Sequence, residues 1–171
     1  MMKQLTHHQL NYRQTTFPIT VFACHLRTPE NIGMLMRVSE AFGVEKIYVH
    51  HNSPPVSSRA VKRISRHTAE HLPVIIYSNA IAELEELKQQ NYTIIALEIT
   101  DVSIPLSEMR LHHDGKFVIV AGEERNGIPV DVLNLCDYSV HLPMYGKNSS
   151  LNVVNSLTVS LYEMTNRLLK G

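Results

Sequence analysis

The chain has 171 residues, of which 44% are hydrophobic and 19% charged, and its 16 Lys and Arg balance its 16 Asp and Glu. This length suits one domain, and the neutral charge excludes both disorder caused by excess charge and a uniformly basic coat for nucleic acid. No apolar run approaches the roughly 18 residues of a membrane span, and residues 1–16 lack the apolar core of a signal peptide. With only two cysteines, Cys24 and Cys136, the sequence predicts a cytoplasmic protein with reduced thiols and no membrane contact.

Residues 1–16 predict a flexible N-terminal arm, which leaves 17–171 as one folded domain. In that domain, short apolar runs alternate with segments of helical period. The pattern predicts six strands, at 19–24, 45–50, 73–78, 93–99, 116–122 and 138–143. It predicts five helices, at 31–42, 58–68, 79–90, 129–135 and 151–169, with Asn79 capping the third and Gly43 closing the first. Because each strand is a nearly continuous apolar run, we expect an α/β fold with a mostly parallel sheet and helices on both faces.

The final helix has one clean apolar stripe and further apolar residues beside it. The stripe repeats at spacings of three and four and consists of Val154, Leu157, Leu161, Met164 and Leu168. A helix that is apolar on more than one side is usually buried on more than one side, so we expect a homodimer that packs through this helix. The alternative is a wide core-facing surface with a few exposed apolar residues.

Familiar nucleotide-binding and metal-binding motifs are missing from the sequence. No G-x-G-x-x-G follows a strand and no G-x-x-x-x-G-K-[ST] occurs, so dinucleotide and P-loop sites lose their main support. The 10 histidines include three adjacent pairs, and adjacent side chains on a strand point to opposite faces. No C-x-x-C is present either, and we therefore expect no bound metal.

Two clusters of polar residues stand at the ends of predicted elements. At the start of the first helix, Asn31 is a candidate cap, Gly33 permits close approach of a backbone or ligand, and Arg37 follows more than one turn later. The second cluster, 122–129, is a strand-to-helix turn at the carboxyl end of a parallel strand, where open α/β sheets bind ligands. Its adjacent carboxylates suit a cationic ligand better than a phosphate. The alternatives are a capped helix with a solvated arginine, and a tight turn with exposed acids.

A third cluster, 142–153, joins the last strand to the last helix. Ser149 or Ser150 is a candidate cap, and small polar residues at a helix N-terminus provide free N–H donors. Asn152 and Asn155 fall inside an apolar helix, where Asn has poor propensity, so we expect each to have a buried partner or a ligand.

Four cations in the second predicted helix have helical spacing with no acid among them: Arg59, Lys62, Arg63 and Arg66. On a helix they form one basic ridge, which would follow the phosphates of RNA. The competing interpretation is a solvated helix face.

In this order, the three clusters resemble the motifs of the SpoU-type RNA ribose methyltransferases of the SPOUT superfamily. The motif N-x-G-x-x-x-R is matched by Asn31, Gly33 and Arg37. The motif G-x-E-x-x-G-[IL] is matched by Gly122, Glu124, Gly127 and Ile128. The motif [IL]-P-M-x-G-x-x-x-S-L-N-V is matched without a gap over 142–153. The match departs at Val154, where a small polar residue is common, and residues 1–16 fit no motif.

The resemblance implies a deep trefoil knot in the C-terminal part of the domain and S-adenosylmethionine as the cofactor. It places the cofactor against Leu97, Gly122, Leu142, Met144, Ser150 and Leu151. It also implies a dimer with the active site close to the subunit interface, which agrees with the apolar final helix.

The reaction implied by the resemblance is transfer of the sulfonium methyl group to a ribose 2′-hydroxyl. Family proposals give proton removal to the residue that matches Arg37, but an arginine is effectively always protonated. Orientation of the nucleotide and stabilisation of the forming alkoxide suit Arg37 better. The resemblance implies that the ribose and the loops are positioned by Asn31, Glu124, Ser150 and Asn152.

The expected substrate is tRNA, because a member of this family without an added RNA-binding domain tends to act on tRNA, and ribosomal RNA is the alternative. A non-catalytic RNA-binding relative is a second class of function, against which the complete motifs argue. A third is an unrelated nucleotide-binding α/β protein, against which the missing glycine signatures argue.

Overall fold

The computed structural model describes residues 2–5, 14–66, 68–123, 125–148 and 150–170. In these ranges the strands are β1 (Phe17–Ala23), β2 (Val44–His50), β3 (Val74–Tyr77), β4 (Tyr92–Leu97), β5 (Ile104–Pro105), β6 (Lys116–Ala121) and β7 (Tyr138–His141). They form one sheet of order β3-β2-β1-β6-β4-β7-β5, in which every pair of neighbours is parallel. The predicted α/β class and parallel sheet are confirmed.

The helices are α1 (Pro29–Ala41), α2 (Arg59–Ser65), α3 (Ala80–Gln89), α4 (Val130–Leu133) and α5 (Val153–Lys170). Asn79 caps α3 by accepting a hydrogen bond from the amide of Ala82, as predicted. Gly43 follows α1 with a φ of 63°, the left-handed conformation expected of a closing glycine. The cap of α1, however, is Thr28 and not Asn31, because the Thr28 hydroxyl accepts from the amide of Asn31 and Pro29 opens the helix.

The segment between β4 and β6 holds two elements that the sequence pattern missed. β5 pairs with β7 at the edge of the sheet, and a one-turn 3-10 helix at Leu106–Glu108 follows it. Neither is long enough to show a hydrophobic period. The Arg167 guanidinium fastens this segment to α5 by donating hydrogen bonds to the carbonyls of Leu106 and Met109.

Helices cover both faces of the sheet, as predicted. One face packs under α1, α2 and α5, and its core includes Ile19, Val21, Leu35, Val61, Leu157 and Leu161. The other packs under α3 and α4, and its core includes Phe22, Val118, Val120, Leu84, Leu87 and Val132. Alternate residues of β1 and β6 therefore divide between two cores, which explains why these strands are apolar on both sides.

The predicted apolar stripe of α5 faces the first of these cores. Four of its residues are buried, and Leu168 is half-buried. Beside the stripe, Val159, Tyr162 and Leu169 are 47%, 60% and 65% exposed. No helix in the described ranges is both long and apolar enough to cross a membrane.

Of the predicted N-terminal arm, residues 2–5 and 14–16 contain no helix or strand. The remainder of the arm, 1 and 6–13, lies outside the described residues.

Gly33 allows α1 and α2 to approach closely. A Cβ atom at this position would lie 2.7 Å from Cβ of Ile64 and 3.2 Å from the carbonyl oxygen of Val61. Neither neighbour is the free end of a flexible side chain. The close approach expected at Gly33 is thus made by α2, the helix that carries the basic residues.

We expect Gly33→Ala to lower the free energy of unfolding by about 1 kcal/mol. The added methyl group is overpacked against α2, which costs about 1–3 kcal/mol because the contacted atoms lie at or near the backbone and cannot easily move. This cost outweighs the gain of about 1 kcal/mol in helix propensity. Urea denaturation measures the change, and Glu40→Ala on the exposed side of α1 serves as the control. An unchanged or higher stability of Gly33→Ala would show that α2 moves away without cost.

Candidate functional site

Three loops meet at the carboxyl edge of the sheet, after β4, β6 and β7. They enclose a cavity of about 690 Å³ lined by residues of 97–100, 122–128 and 140–156. Because parallel strands end at the same edge, segments that are distant in sequence converge there. All six residues that the resemblance implies for the cofactor line this cavity: Leu97, Gly122, Leu142, Met144, Ser150 and Leu151.

The loop after β6 is closed on itself by its two glycines. Glu123 and Gly127 exchange two backbone hydrogen bonds of 3.2 and 2.8 Å, and Gly127 has a φ of 65°. A Cβ atom on Gly122 would lie 2.4 Å from the carbonyl carbon of Gly127. The two motif glycines are therefore required by the backbone geometry of this turn.

Glu123, which the sequence motifs do not single out, is the buried acid of this loop. Its side chain is 6% exposed, and its Oε1 lies 2.6 Å from Nε of Arg27. Its Oε2 accepts a hydrogen bond of 2.9 Å from the side-chain amide of Asn126. This position contradicts the alternative of a turn whose acids are both exposed. Glu124, the predicted catalytic acid, lies outside the described residues.

A second carboxylate, Glu98, was also missed by the sequence motifs. Its two oxygens accept hydrogen bonds from the amides of Ile99 and Ile128, at 3.0 and 3.3 Å. It thereby joins the loop after β4 to the loop after β6, and it lines the cavity. Because Arg27 compensates Glu123, Glu98 contributes a further negative charge, which favours a cationic ligand.

The start of α5 contacts the start of α1 through two asparagines. The Asn152 side chain donates a hydrogen bond of 3.2 Å to Oδ1 of Asn31, while its own Oδ1 accepts from the amide of Val154 at 2.9 Å. Asn152 thus precedes α5 and caps it, and the predicted position inside the helix is wrong. Asn155 is exposed, which contradicts a buried partner for it, while the alternative of a ligand stays a prediction.

The other predicted catalytic residues separate into two groups. Ser150 lines the cavity beside Asn152, and Asn152 connects both to Asn31. Arg37 lies farther along α1 with an exposed side chain, and it is not among the described residues that line the cavity. A single chain therefore brings together Asn31, Ser150 and Asn152 but not Arg37.

The four predicted RNA-binding residues are all exposed, but they do not all lie on one helix. Arg59, Lys62 and Arg63 belong to α2, which ends at Ser65. Arg66 follows with a φ of 50°, a left-handed conformation that turns the chain away from the helix axis. The ridge therefore has three helical cations and one cation beyond them.

Within the ranges that the structure describes, no group of three or more His, Cys, Asp or Glu side chains is arranged to hold a metal ion. Both cysteines are free, and burial raises the pKa of each thiol to about 12. The cavity lining includes carboxylates, the Arg125 guanidinium, neutral polar side chains, backbone groups and apolar side chains.

Comparison with protein families agrees with this arrangement of loops. The model of the SpoU rRNA methylase family matches residues 18–162. The chain belongs to the SpoU rRNA methylase family. The family membership expected from the motifs is confirmed.

Curated relatives match most of this chain but only part of their own length. A protein of Staphylococcus aureus (strain COL), assigned to the TrmH family of tRNA/rRNA methyltransferases, is 27% identical over 139 residues, or 81% of this chain. These residues make up 55% of that protein, so the chain spans about half the length of the curated relatives it matches.

Two solved structures share the fold. The SpoU methyltransferase AviRb from Streptomyces viridochromogenes, in complex with AdoMet, has a TM-score of 0.80 at 21% identity and covers 97% of this chain and 66% of its own. A structure from a study of 2-OH methylation of C/U34 on tRNA has a TM-score of 0.77 at 25% identity. The match covers 91% of this chain and 99% of the length of that structure's chain.

We expect Arg27→Ala to lower the free energy of unfolding by about 1–2 kcal/mol, because it leaves the buried Glu123 carboxylate without its cation. Urea denaturation at neutral pH measures the change. The matched control is Lys88→Ala, which breaks an ion pair with Asp137 whose side chains are 36% and 37% exposed. That change should cost less than about 1 kcal/mol. Equal losses in the two variants would contradict a special role for the burial of Glu123.

Proposed function

We propose that this chain is an S-adenosylmethionine-dependent RNA 2′-O-ribose methyltransferase that acts on tRNA. The observation that carries the proposal is the convergence of three family motifs on one place. The second and third motifs line the cavity, and the hydrogen bond between Asn152 and Asn31 links the first motif to it.

The cavity fits the proposed cofactor in size and chemistry. A volume of about 690 Å³ is in the range of pockets that enclose small molecules. Leu97, Ile128 and Leu142 offer an apolar surface to a nucleobase, and the Glu98 carboxylate suits a cation. Gly122, Met144, Ser150 and Leu151 complete the set of residues that would hold the cofactor. When bound, it supplies a methyl group already activated for transfer by the positive sulfonium.

The protein must then align the ribose hydroxyl and favour loss of its proton. Asn31 and Asn152 hold each other at the border of the cavity, so they are suited to position the ribose. Ser150 and Glu124 would act in the same place. Arg37, which stays protonated, would orient the nucleotide phosphate and stabilise the developing alkoxide.

The position of Arg37 outside the cavity of its own chain supports a homodimeric enzyme. Beside the core-facing stripe, α5 exposes Val159, Tyr162 and Leu169, and the Tyr162 ring meets the Phe42 ring at the end of α1 with centroids 6.4 Å apart. This apolar surface is continuous from α5 to α1. A second copy packed against it would bring Arg37 of one protomer towards the cavity of its partner.

The choice of tRNA over ribosomal RNA follows one structural neighbour. The structure from the study of tRNA C/U34 methylation is 25% identical, and the match covers 91% of this chain and 99% of its length. Ribosomal RNA is the alternative substrate, and a non-catalytic RNA-binding relative is the alternative class.

We expect Arg37→Ala to lose at least 100-fold in methyl transfer while it binds S-adenosylmethionine as the wild type does, since transition-state stabilisation by one charged donor is worth roughly 10²–10³ in rate. Labelled S-adenosylmethionine is supplied with unmodified total tRNA and, separately, with ribosomal RNA. Mass analysis of the product nucleosides then shows whether the ribose carries the methyl group.

The outcomes separate the parts of this proposal. Full turnover of Arg37→Ala contradicts the role of that residue, and label only in ribosomal RNA contradicts the substrate. A methylated base contradicts the reaction. A wild-type protein that binds cofactor and both RNAs but transfers no label would support the non-catalytic alternative.

If the cations of α2 follow phosphates, Arg59→Gln/Arg63→Gln should flatten the dependence of log affinity on log salt concentration by roughly 1.5 units. Fluorescence anisotropy with labelled total tRNA measures the slope. The control variant, Lys88→Gln/Lys170→Gln, removes the same charge from α3 and α5. An equal slope in the two variants would show that α2 is only a solvated face.

A further inference from the structure

Three histidines form a cluster of rings at the carboxyl edge of the sheet, outside the cavity. His50 ends β2, and its ring centroid lies 3.9 Å from that of His25 in an edge-on contact and 4.4 Å from that of His51 in a tilted one. The Tyr77 ring, at the end of β3, packs against the same His50 ring at 5.2 Å. His50 is buried, whereas His25 and His51 are exposed.

The backbone holds His25 firmly in an uncommon conformation. Its φ of 52° lies in the left-handed region, which costs a non-glycine residue free energy. The residues before it are anchored: the Cys24 amide donates to the carbonyl of Ala121 at 2.8 Å, and the Tyr77 hydroxyl donates to the carbonyl of Ala23 at 3.0 Å. These hydrogen bonds to the neighbouring strands therefore fix the backbone that carries the exposed His25 imidazole.

The His50 ring, which contacts both exposed histidines, is fixed in orientation. Burial, together with the imidazoles of His25 and His51, lowers the pKa of His50. Its Nδ1 accepts a hydrogen bond of 3.1 Å from the amide of Asn52, so the proton of the neutral ring is on Nε2. His50 is thus a rigid support for the two exposed rings.

The histidine cluster lies next to the loop after β6, which lines the cavity, and in the chain it precedes the basic helix α2. Ala121, which accepts from Cys24, directly precedes the cavity residue Gly122, and Arg27 pairs with Glu123 of the same loop. Along the chain after His51, residues 51–66 contain no acid, but they contain four of the 16 cationic residues: Arg59, Lys62, Arg63 and Arg66. This local charge favours a polyanion.

We propose that His25 and His51 form a stacking platform for an unpaired base of the RNA substrate, beside the site where its ribose is methylated. Histidine rings stack on bases displayed by single-stranded RNA, and cations beside such rings hold the phosphates. The inference rests on the proposed RNA substrate. In the described ranges, the three histidines are not part of a group arranged to hold a metal ion.

Two probes separate base stacking from phosphate binding: labelled oligouridylate, and a ribose-phosphate oligomer of equal length that lacks bases. Wild-type protein should bind oligouridylate roughly fivefold or more tightly than the abasic probe. In His25→Asn/His51→Ala this preference should vanish, while the salt dependence of binding stays as in the wild type.

The variants are chosen to keep the fold. Asparagine tolerates the left-handed backbone at position 25, and neither His25 nor His51 lines the cofactor cavity. Calorimetric binding of S-adenosylmethionine should match that of the wild type. His51→Phe restores an aromatic ring and should recover part of the preference. His113→Ala, an exposed histidine before β6 at the opposite edge of the sheet, is the matched control.

Equal binding of both probes by the wild type overturns the platform. Retention of the preference by the double variant also overturns it, and would indicate that these histidines contact a protein partner instead. Methyl transfer to tRNA measured on the same wild-type sample separates this failure from that of the proposed function. A wild type that binds neither probe and no tRNA overturns both proposals.

Discussion

Strand β6 lies between β1 and β4, and all three run in the same direction. Their last residues are in register, since Ala121 pairs with Ala23 on one side and with Leu97 on the other. Because both faces of these strands are covered by apolar cores, their relative positions are strongly specified. Every loop that carries a motif or a candidate ligand group therefore starts from the same level at one edge of the sheet.

Besides the register of the strands, the cavity depends on close backbone contacts in its loops. The turn after β6 closes only because residues 122 and 127 are glycines, and it presents the amide of Ile128 to Glu98. A buried acid pairs with Arg27 from the segment after β1. These contacts join the segments after β1, β4 and β6 through hydrogen bonds to carboxylates, which are stronger than hydrogen bonds between neutral groups.

Helix α1 connects the parts of the molecule that the proposed reaction requires. Its first turn contacts the start of α5 through Asn31, its Gly33 packs against α2, and its end carries Phe42 against Tyr162. Helix α1 thus contacts residues of the cavity border, of the basic helix and of the exposed apolar surface.

The amino-acid sequence by itself determined the order and type of the long elements, the parallel sheet with two covered faces, and the family. The spacing of apolar residues and the local motifs carry this information, and both are properties of residues close together in sequence. It did not reveal the two-residue strand β5, the cap Thr28 in place of Asn31, or the end of α2 before Arg66. Only the tertiary structure decided that Glu98 and Glu123 line the cavity, that Arg37 does not, and that the rings of His25 and His50 meet. Such contacts join residues far apart in sequence, and they exist only because parallel strands bring their carboxyl ends to one edge.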